Sequence, residues 1–560
     1  MGAVKTAWAG AAALLLALLW CAAGARAATP TPPKLAVPSF GSFRSVLAQG
    51  EGQTITATDL AQYETLGTIP PSFTNQQPLY VGIMPHASTL TASDLNVFYK
   101  NTKFGSMPGG VGSYESPRPG VQIFFDARYG MAHIYAQNFN ELTWACGYEQ
   151  AQERLFLMDV LRRTAEGRMA GLLGPSAASG DASQLTTQDY SPAELNAQAN
   201  ALPRRYGAQG AKALDALKQY VAGINARIQY DQAHPNAMPA EYAALGASPA
   251  PWTLADTGAE AVLLESQFTV SGGSQQVADL LQLEFRQRFG HHWRHAYRDL
   301  SEPQDPAAFT VEHRYVPSDN AGRVKPSLDL NASLDPNSIH PRNAVIQGPG
   351  AQQQAQAKDR LPGWAAALEH LHASMPTVES NAVLVSRRLS RTGHPLFAAG
   401  PQVGYYSPQI FSEYEIHGGG INSEGVVFPG ADPFPLIGHG IDFVWSGTSA
   451  NGINQDTFAE KLCNPDGSRP SDGSTHYLYR GRCIPFTMRV QKVTTPVSPT
   501  SPGPSQTIEY ETKRSVHGPV FAYATVHGAP VALTVAKALD FHEFSGLIPF
   551  MELSENQPHN

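Results

Sequence analysis

The sequence predicts an α+β protein whose helices come first and whose strands follow. Between residues 138 and 289 apolar residues recur at helical spacing. From Ser380 onward, short β-branched and aromatic runs alternate with turn residues. Between these halves, residues 315–358 are rich in Pro, Asn, Ser and Gln and poor in apolar side chains, which predicts an exposed, irregular segment. Apolar residues are 42% of the 560, enough for a large core, and global disorder is excluded. Lys and Arg total 39 against 47 Asp and Glu, a net charge of −8. Sparse, unclustered basic residues exclude an electrostatic footprint for nucleic acid or anionic lipid.

Residues 7–23 are an apolar run preceded by Lys5 and closed by Ala25, Arg26 and Ala27. This predicts a signal peptide over 1–27, cut before Ala28, and export to the periplasm or the medium. The run is too short for a membrane anchor, and Trp20 before Cys21 argues against a lipoprotein site. Residues 28–40 read as an extended Pro/Thr linker, and the whole stretch 28–118 stays unassigned. A strand at 121–125 is followed by a turn at Tyr129-Gly130. Asn138 with Glu141 suggests a capping box, and Trp144, Tyr148, Ala151, Leu155 and Met158 mark one face of a helix reaching Gly174. Further helices are predicted at 211–232, with Leu214, Leu217, Val221, Ile224 and Ile228 inward, and at 275–289. His291, His292 and His295 follow without a carboxylate at fixed spacing, so they read as solvated. A short helix is expected at 364–372. The run Ala382 to Val385 suits a strand buried on both faces. Strands are also expected near 396–399, 411–417, 443–447, 477–480, 486–493, 507–513 and 520–526.

Cys21 leaves with the signal. Cys463 and Cys483 flank a polar, Gly-rich segment and are expected to form a disulfide in an oxidising compartment. Cys146 reads as a buried free thiol. Gly447, Thr448, Ser449, Ala450 and Asn451 miss the nucleophile-elbow pattern at the last position, and no zinc, Walker or dinucleotide motif occurs. What remains is Glu379-Ser380-Asn381, where a serine stands between the irregular segment and a predicted strand. A cut before Ser380 would give one residue both a hydroxyl and an α-amine. That amine titrates near ~8 and can act as base for the neighbouring hydroxyl.

At these residues the chain resembles the penicillin acylase family of N-terminal nucleophile hydrolases. One block runs from Asp126 through His133 to Ala136, then Gly147 to Arg154 and Met158, then Arg162 to Arg168. A second runs from Ser380, through Gly400-Pro401-Gln402 and Pro408, to His417, Gly430, His439 and Trp445 to Ala450. The resemblance covers roughly residues 121–461. It implies a four-layer αββα sandwich and a single exported precursor. An α-chain would span 119–315, a removed spacer 316–379 and a β-chain 380–560, cut between Glu379 and Ser380 and held together as a heterodimer. It also implies Ser380 as nucleophile, Gln402 as a neighbour that leans toward penicillin G acylases, and the Ser449 N–H as an oxyanion donor. The second donor, an Asn with an Arg nearby, is expected beyond Asn560 in a β-chain longer than this one. The chemistry implies no cofactor, while calcium is left open. Asp456 matches one ligand position, Gln275 (or Gln276) stands where a Glu is expected, and Ile453 stands where an Asp is usual. Val403 replaces a Phe of the acyl pocket. The expected activity is hydrolysis of small N-acyl amides. The alternatives are an N-acyl homoserine lactone or acyl-amino-acid acylase, and a non-catalytic relative that binds acyl ligands.

Overall fold

The computed structural model describes residues 30–35, 41–45, 54–68, 75, 77–268, 271–272, 275–301, 333–342, 344–347, 379–402, 409–448, 453–498, 501 and 503–555. The signal segment, the predicted helix at 364–372, Val403 and Ser449 lie outside these residues. The longer described helices are α1, Phe139–Ala165, α2, Pro192–Ala233, α3, Leu254–Phe268, and α4, Gln275–Phe289. The strands are β1, Val111–Glu115, β2, Val121–Asp126, and β3, Ala132–Ala136. After α4 come β4, Glu379–Val385, β5, Leu396–Gln402, β6, Ser412–Gly418, β7, Ile421–Val427, β8, Ile437–His439, and β9, Val444–Trp445. The last are β10, Ile453–Cys463, β11, His476–Tyr479, β12, Arg482–Pro485, β13, Thr487–Thr494, β14, Thr507–Ser515, β15, Gly518–Val526, and β16, Ala529–Lys537. The molecule is therefore α+β, helical first and strand-rich after residue 379.

The Asn138 side chain caps α1 by accepting the Glu141 N–H at 3.0 Å. The Glu141 carboxylate turns to Arg118 instead of returning to the cap, so half of the expected capping box forms. The predicted face of Trp144, Tyr148, Ala151, Leu155 and Met158 is buried. The helix stops at Ala165, short of Gly174, where Gly167 takes φ 61°. Helix α2 begins well before the expected start, because Ser191 and Glu194 form a full capping box with Pro192 at the first position. Gly207 kinks it at φ 57°, ψ −132°. Where α1 crosses α2, Gly147 faces the Tyr220 carbonyl and Gly223 faces the Trp144 carbonyl, and a Cβ at either place would collide with backbone. Helix α4 matches its prediction, and His291, His292 and His295 beyond it are exposed.

Strands β9-β8-β7-β6-β3-β2-β1 form a seven-stranded sheet, with β3 and β6 parallel and the other pairs antiparallel. One face turns Val121, Ile123, Ile134, Tyr414 and Ile416 onto α1 and α2, forming the main core. Burying each such side chain contributes roughly 1.5–3 kcal/mol. A second sheet follows the order β12-β11-β10-β16-β15-β14-β13. Val493, Ile508 and Tyr510 pack it against Met169, Leu172 and Leu185, and Leu280 of α4 packs near Val531 and Leu533.

Two expectations need correction. Part of the 315–358 segment is not irregular: His340–Pro341, itself exposed, pairs with β15 and Val345–Gln347 pairs with β14, while Leu334 and Ala344 are buried. Its polar side chains serve the docking, since Asp335 accepts the Gly528 N–H at 2.7 Å and the His527 N–H at 3.0 Å. The run Ala382 to Val385 is not buried on both faces. Strand β4 pairs with β5 in a two-stranded sheet that no other described strand joins, and Val383 and Leu384 are 60% and 71% exposed.

The other face of the seven-stranded sheet is polar, yet buried. His133, Glu415, Glu424 and His439 lie side by side across β3, β6, β7 and β8. The segment at 41–45 and 99–105 covers them. Phe43 and Phe104 stack on the His439 ring at 3.8 and 4.8 Å, and the Gly105 N–H donates to Glu415 Oε1 at 2.8 Å.

Candidate active site

The hairpin holds the predicted nucleophile at its base. Ser380 pairs with Pro401 and Glu379 with Gln402, so the Glu379–Ser380 peptide bond lies in the first rung of the ladder. Ser380 is half-buried. Beyond β9, the chain returns to the hairpin, and the Thr448 hydroxyl donates to the Ser380 carbonyl at 2.9 Å. The structure thus brings together Glu379, Ser380, the Gln402 backbone and Thr448. The Gln402 side chain is outside the description, as is all of Ser449. Thr448 was missed by the sequence reasoning. Its only signal was its place beside Ser449 in the second block.

Helix α1 instead holds the chain that follows the hairpin, from Gln409 to Asp432. Gln150 Nε2 donates to the Tyr414 hydroxyl at 2.9 Å and to the Asp432 carbonyl at 3.1 Å. Gln150 Oε1 accepts from the Tyr220 hydroxyl and from the Gly430 N–H at 3.2 Å. Arg154, 1% exposed, donates to the Gln409 carbonyl at 3.1 Å. Glu153 accepts the Ser412 hydroxyl at 3.1 Å. The block from Gly147 to Arg154 therefore ties α1 and α2 to the chain that leaves β5 and to the turn after β7. A buried network of this kind rigidifies its surroundings when every partner is satisfied.

The buried row on the seven-stranded sheet was also missed. Burial alone would raise the Glu415 carboxyl, but His133 Nδ1, at 2.7 Å, and His417 hold it well below the usual carboxylate range. Burial, reinforced by Glu415 and Glu413, pushes Glu424 well above that range. Burial lowers His439, against the carbonyls of Gly440 and Thr102.

A cavity of about 680 Å³ opens between α3 and the second sheet, walled by Glu265, Asn454, Asp456, His517, Lys537 and Glu543 among others. Burial raises Glu265 to about 8 and lowers Lys537. No residue of the β4–β5 hairpin lines it.

Asp456 and Gln275, the expected calcium ligands, do meet. Gln275 Nε2 donates to Asp456 Oδ1 at 2.8 Å, and Gln275 Oε1 accepts the Thr457 N–H at 3.0 Å. A cation needs oxygens turned toward it, and here an N–H group faces the carboxylate. Gln276 adds one neutral buried oxygen, Oε1, without a hydrogen-bond partner. Among the described residues, this donor set does not fit calcium. Cys463 and Cys483 are joined as a disulfide that ties the end of β10 to β12, and Cys146 is buried and free.

Residues 120–556 match the penicillin amidase family. The chain is 25% identical over 435 residues to penicillin G acylase of Escherichia coli, covering 75% of this chain and 48% of that protein. It is 24% identical over 411 residues to penicillin acylase 2 proenzyme of Pseudomonas sp. (strain SE83), covering 72% and 44%. It is 26% identical over 363 residues to acyl-homoserine lactone acylase QuiP of Pseudomonas fluorescens (strain Pf0-1), covering 64% and 37%. The chain thus spans less than half the length of these relatives. Among solved structures, a thermostable penicillin G acylase from Alcaligenes faecalis aligns with TM-score 0.30 and 25% identity, over 36% of this chain and 100% of that one. With the match running from the start of β2 to the end of the described residues, the chain belongs to the penicillin amidase family.

Proposed function

We propose that this chain is an exported, self-processing amidohydrolase that acts on small N-acyl amides through Ser380. The observation that carries the reading is the placement of the Glu379–Ser380 bond within a family match that runs over residues 120–556. In maturation, the Ser380 hydroxyl attacks the Glu379 carbonyl carbon, and the peptide nitrogen becomes the free α-amine as water hydrolyses the resulting ester. The new amine then serves as base for the same hydroxyl. In turnover, Ser380 Oγ attacks the substrate carbonyl, the amine of the substrate leaves with a proton, and water clears the acyl ester. The Ser449 N–H is assigned to the oxyanion, a role worth roughly 3–4 kcal/mol of barrier, and Gln402 to the position beside the nucleophile. No metal enters the chemistry. Processing would leave α- and β-chains as a heterodimer, with the described part of the 316–379 spacer paired to the second sheet until it is released.

Export rests on the signal pattern at 1–27. No helix among the described residues is long and apolar enough to cross a membrane. The similarity to an acyl-homoserine lactone acylase supports a second reading of the acyl group, and Gln402 leans toward the penicillin type. The test is N-terminal sequencing and intact mass of exported protein, wild type and Ser380→Ala. Wild type is expected as two chains, one starting at Ser380, and the variant as one chain. A Ser380→Ala protein still cut at this bond would sink the mechanism. Phenylacetyl amides and N-acyl homoserine lactones, compared on the mature protein, separate the two readings of substrate.

A further inference from the structure

We propose that the Gln275 side-chain amide takes the place of a metal ion between helix α4 and strand β10, and that this junction is independent of calcium. The inference concerns the molecule's architecture and stands whether or not Ser380 is catalytic. Gln275 opens α4, and its amide reaches three consecutive residues of β10. The backbone N–H of Thr457 can only donate, which turns Oε1 toward it at 3.0 Å. The carboxylate of Asp456 accepts, which turns Nε2 toward it at 2.8 Å, and the Gln455 carbonyl lies 3.5 Å from the same nitrogen. The orientation of the amide is therefore fixed by its partners rather than open to a flip.

Calcium takes roughly six to eight oxygen ligands and favours carboxylates. At this junction the amide oxygen is spent on the Thr457 backbone, and the amide N–H occupies Oδ1 of Asp456. A cation that used Oδ1 of Asp456 would have to displace the Gln275 N–H, and one that used the Gln275 oxygen would have to displace the Thr457 N–H. The clamp does mechanical work of the kind a metal would do. It ties α4, whose Leu280 packs on the second sheet, to β10, which also pairs with Ser271–Gly272. Restoring a carboxylate at 275 removes the N–H donor and sets two negative groups face to face, which a divalent cation would then bridge.

The test uses the full chain and needs no activity. Thermal unfolding is measured in EGTA and in millimolar calcium chloride, alongside calcium titration by calorimetry, for wild type, Gln275→Glu and Asp456→Asn. Wild type is expected to show the same Tm in both buffers and no calcium binding that depends on Asp456. Gln275→Glu is expected to lose a few degrees in EGTA and to recover them with calcium. A wild-type Tm that drops in EGTA, with the drop abolished by Asp456→Asn, would overturn the proposal. So would a Gln275→Glu protein whose Tm ignores calcium.

Discussion

Gln150 shows how one polar side chain can fix two helices and a sheet at once. Its amide joins α1 to Tyr220 of α2, to Tyr414 of β6 and to the 430–432 turn. Replacing it with Leu leaves the Tyr220 hydroxyl proton without its acceptor and the Asp432 carbonyl without its donor in a dry interior, while the Gly430 N–H keeps the Tyr220 hydroxyl and the Tyr414 hydroxyl keeps the Pro433 carbonyl. Each orphan costs about 1–3 kcal/mol, so Gln150→Leu is expected to lose at least ~2 kcal/mol in urea unfolding. The loss should fall in the midpoint rather than in the slope. The apolar face of α1 was legible from spacing alone. The polar residues between were legible only as a family block, because most of their partners lie 255–282 positions away and no local pattern encodes them. Ser380 stood out by the change of composition before it, whereas Thr448, 68 residues on, carries no signal of its own.

Among elements, the α1–α2 crossing brings the two helix backbones into direct contact at Gly147 and Gly223. Gly223→Ala would drive a methyl group into the Trp144 carbonyl and the Tyr148 N–H. Overpacking of this kind costs about 1–3 kcal/mol, and a loss at the upper end is expected because backbone cannot swing aside as a side chain can. Circular dichroism melts of Gly223→Ala beside the exposed-helix control Lys218→Ala check it, the control changing little. Alternation along β6 tells that Glu413, Glu415 and His417 share one face, but not what covers that face. A periodicity of two ordinarily reads as apolar inside and polar outside. Here the polar side is buried too, because the 41–45 and 99–105 segments bring their own donors and rings to it. The hairpin β4–β5 is the converse: an apolar run reads as doubly buried, while burial depends on neighbours that lie outside the strand itself.

For the whole molecule, the buried acids set a slope of stability with pH. Burial raises Glu166 and Asp181 to about 7 and Glu265 to about 8. A carboxyl whose folded pKa exceeds its unfolded value of about 4 binds more protons folded than unfolded between those two values. Its contribution is therefore fully present below the unfolded value and lost as pH rises through the folded one. Glu415, held low by its histidines, works in the opposite sense, and its contribution disappears as pH falls through its folded pKa. The Tm is expected to decline from about pH 5 to about pH 8. Glu265→Gln, which no longer titrates, should flatten that decline. A Tm that rises across the same interval, equally in wild type and Glu265→Gln, would count against the raised value of Glu265. The order of the two halves was readable because helix and strand periods differ. The shared sheet was not, because nothing in a short window reports that β3 and β6 are neighbours.

That neighbouring has a kinetic consequence. Parallel partners His133 and Glu415 are 282 positions apart, and the sheet's centre cannot close until both have been synthesised. Long-range closure of this sort is slow. A chain that emerges N-terminus first must keep β1–β3 waiting, one face apolar, until β6 arrives. If the proposed cut before Ser380 is made, the covalent tether that made closure a one-body event would be gone. The two pieces would stay joined by the pairing of β3 with β6, and after denaturation they would have to find each other by diffusion. If the proposed cut is made, the uncut chain would refold as a one-body event, whereas the cut one would need a slower, concentration-dependent encounter.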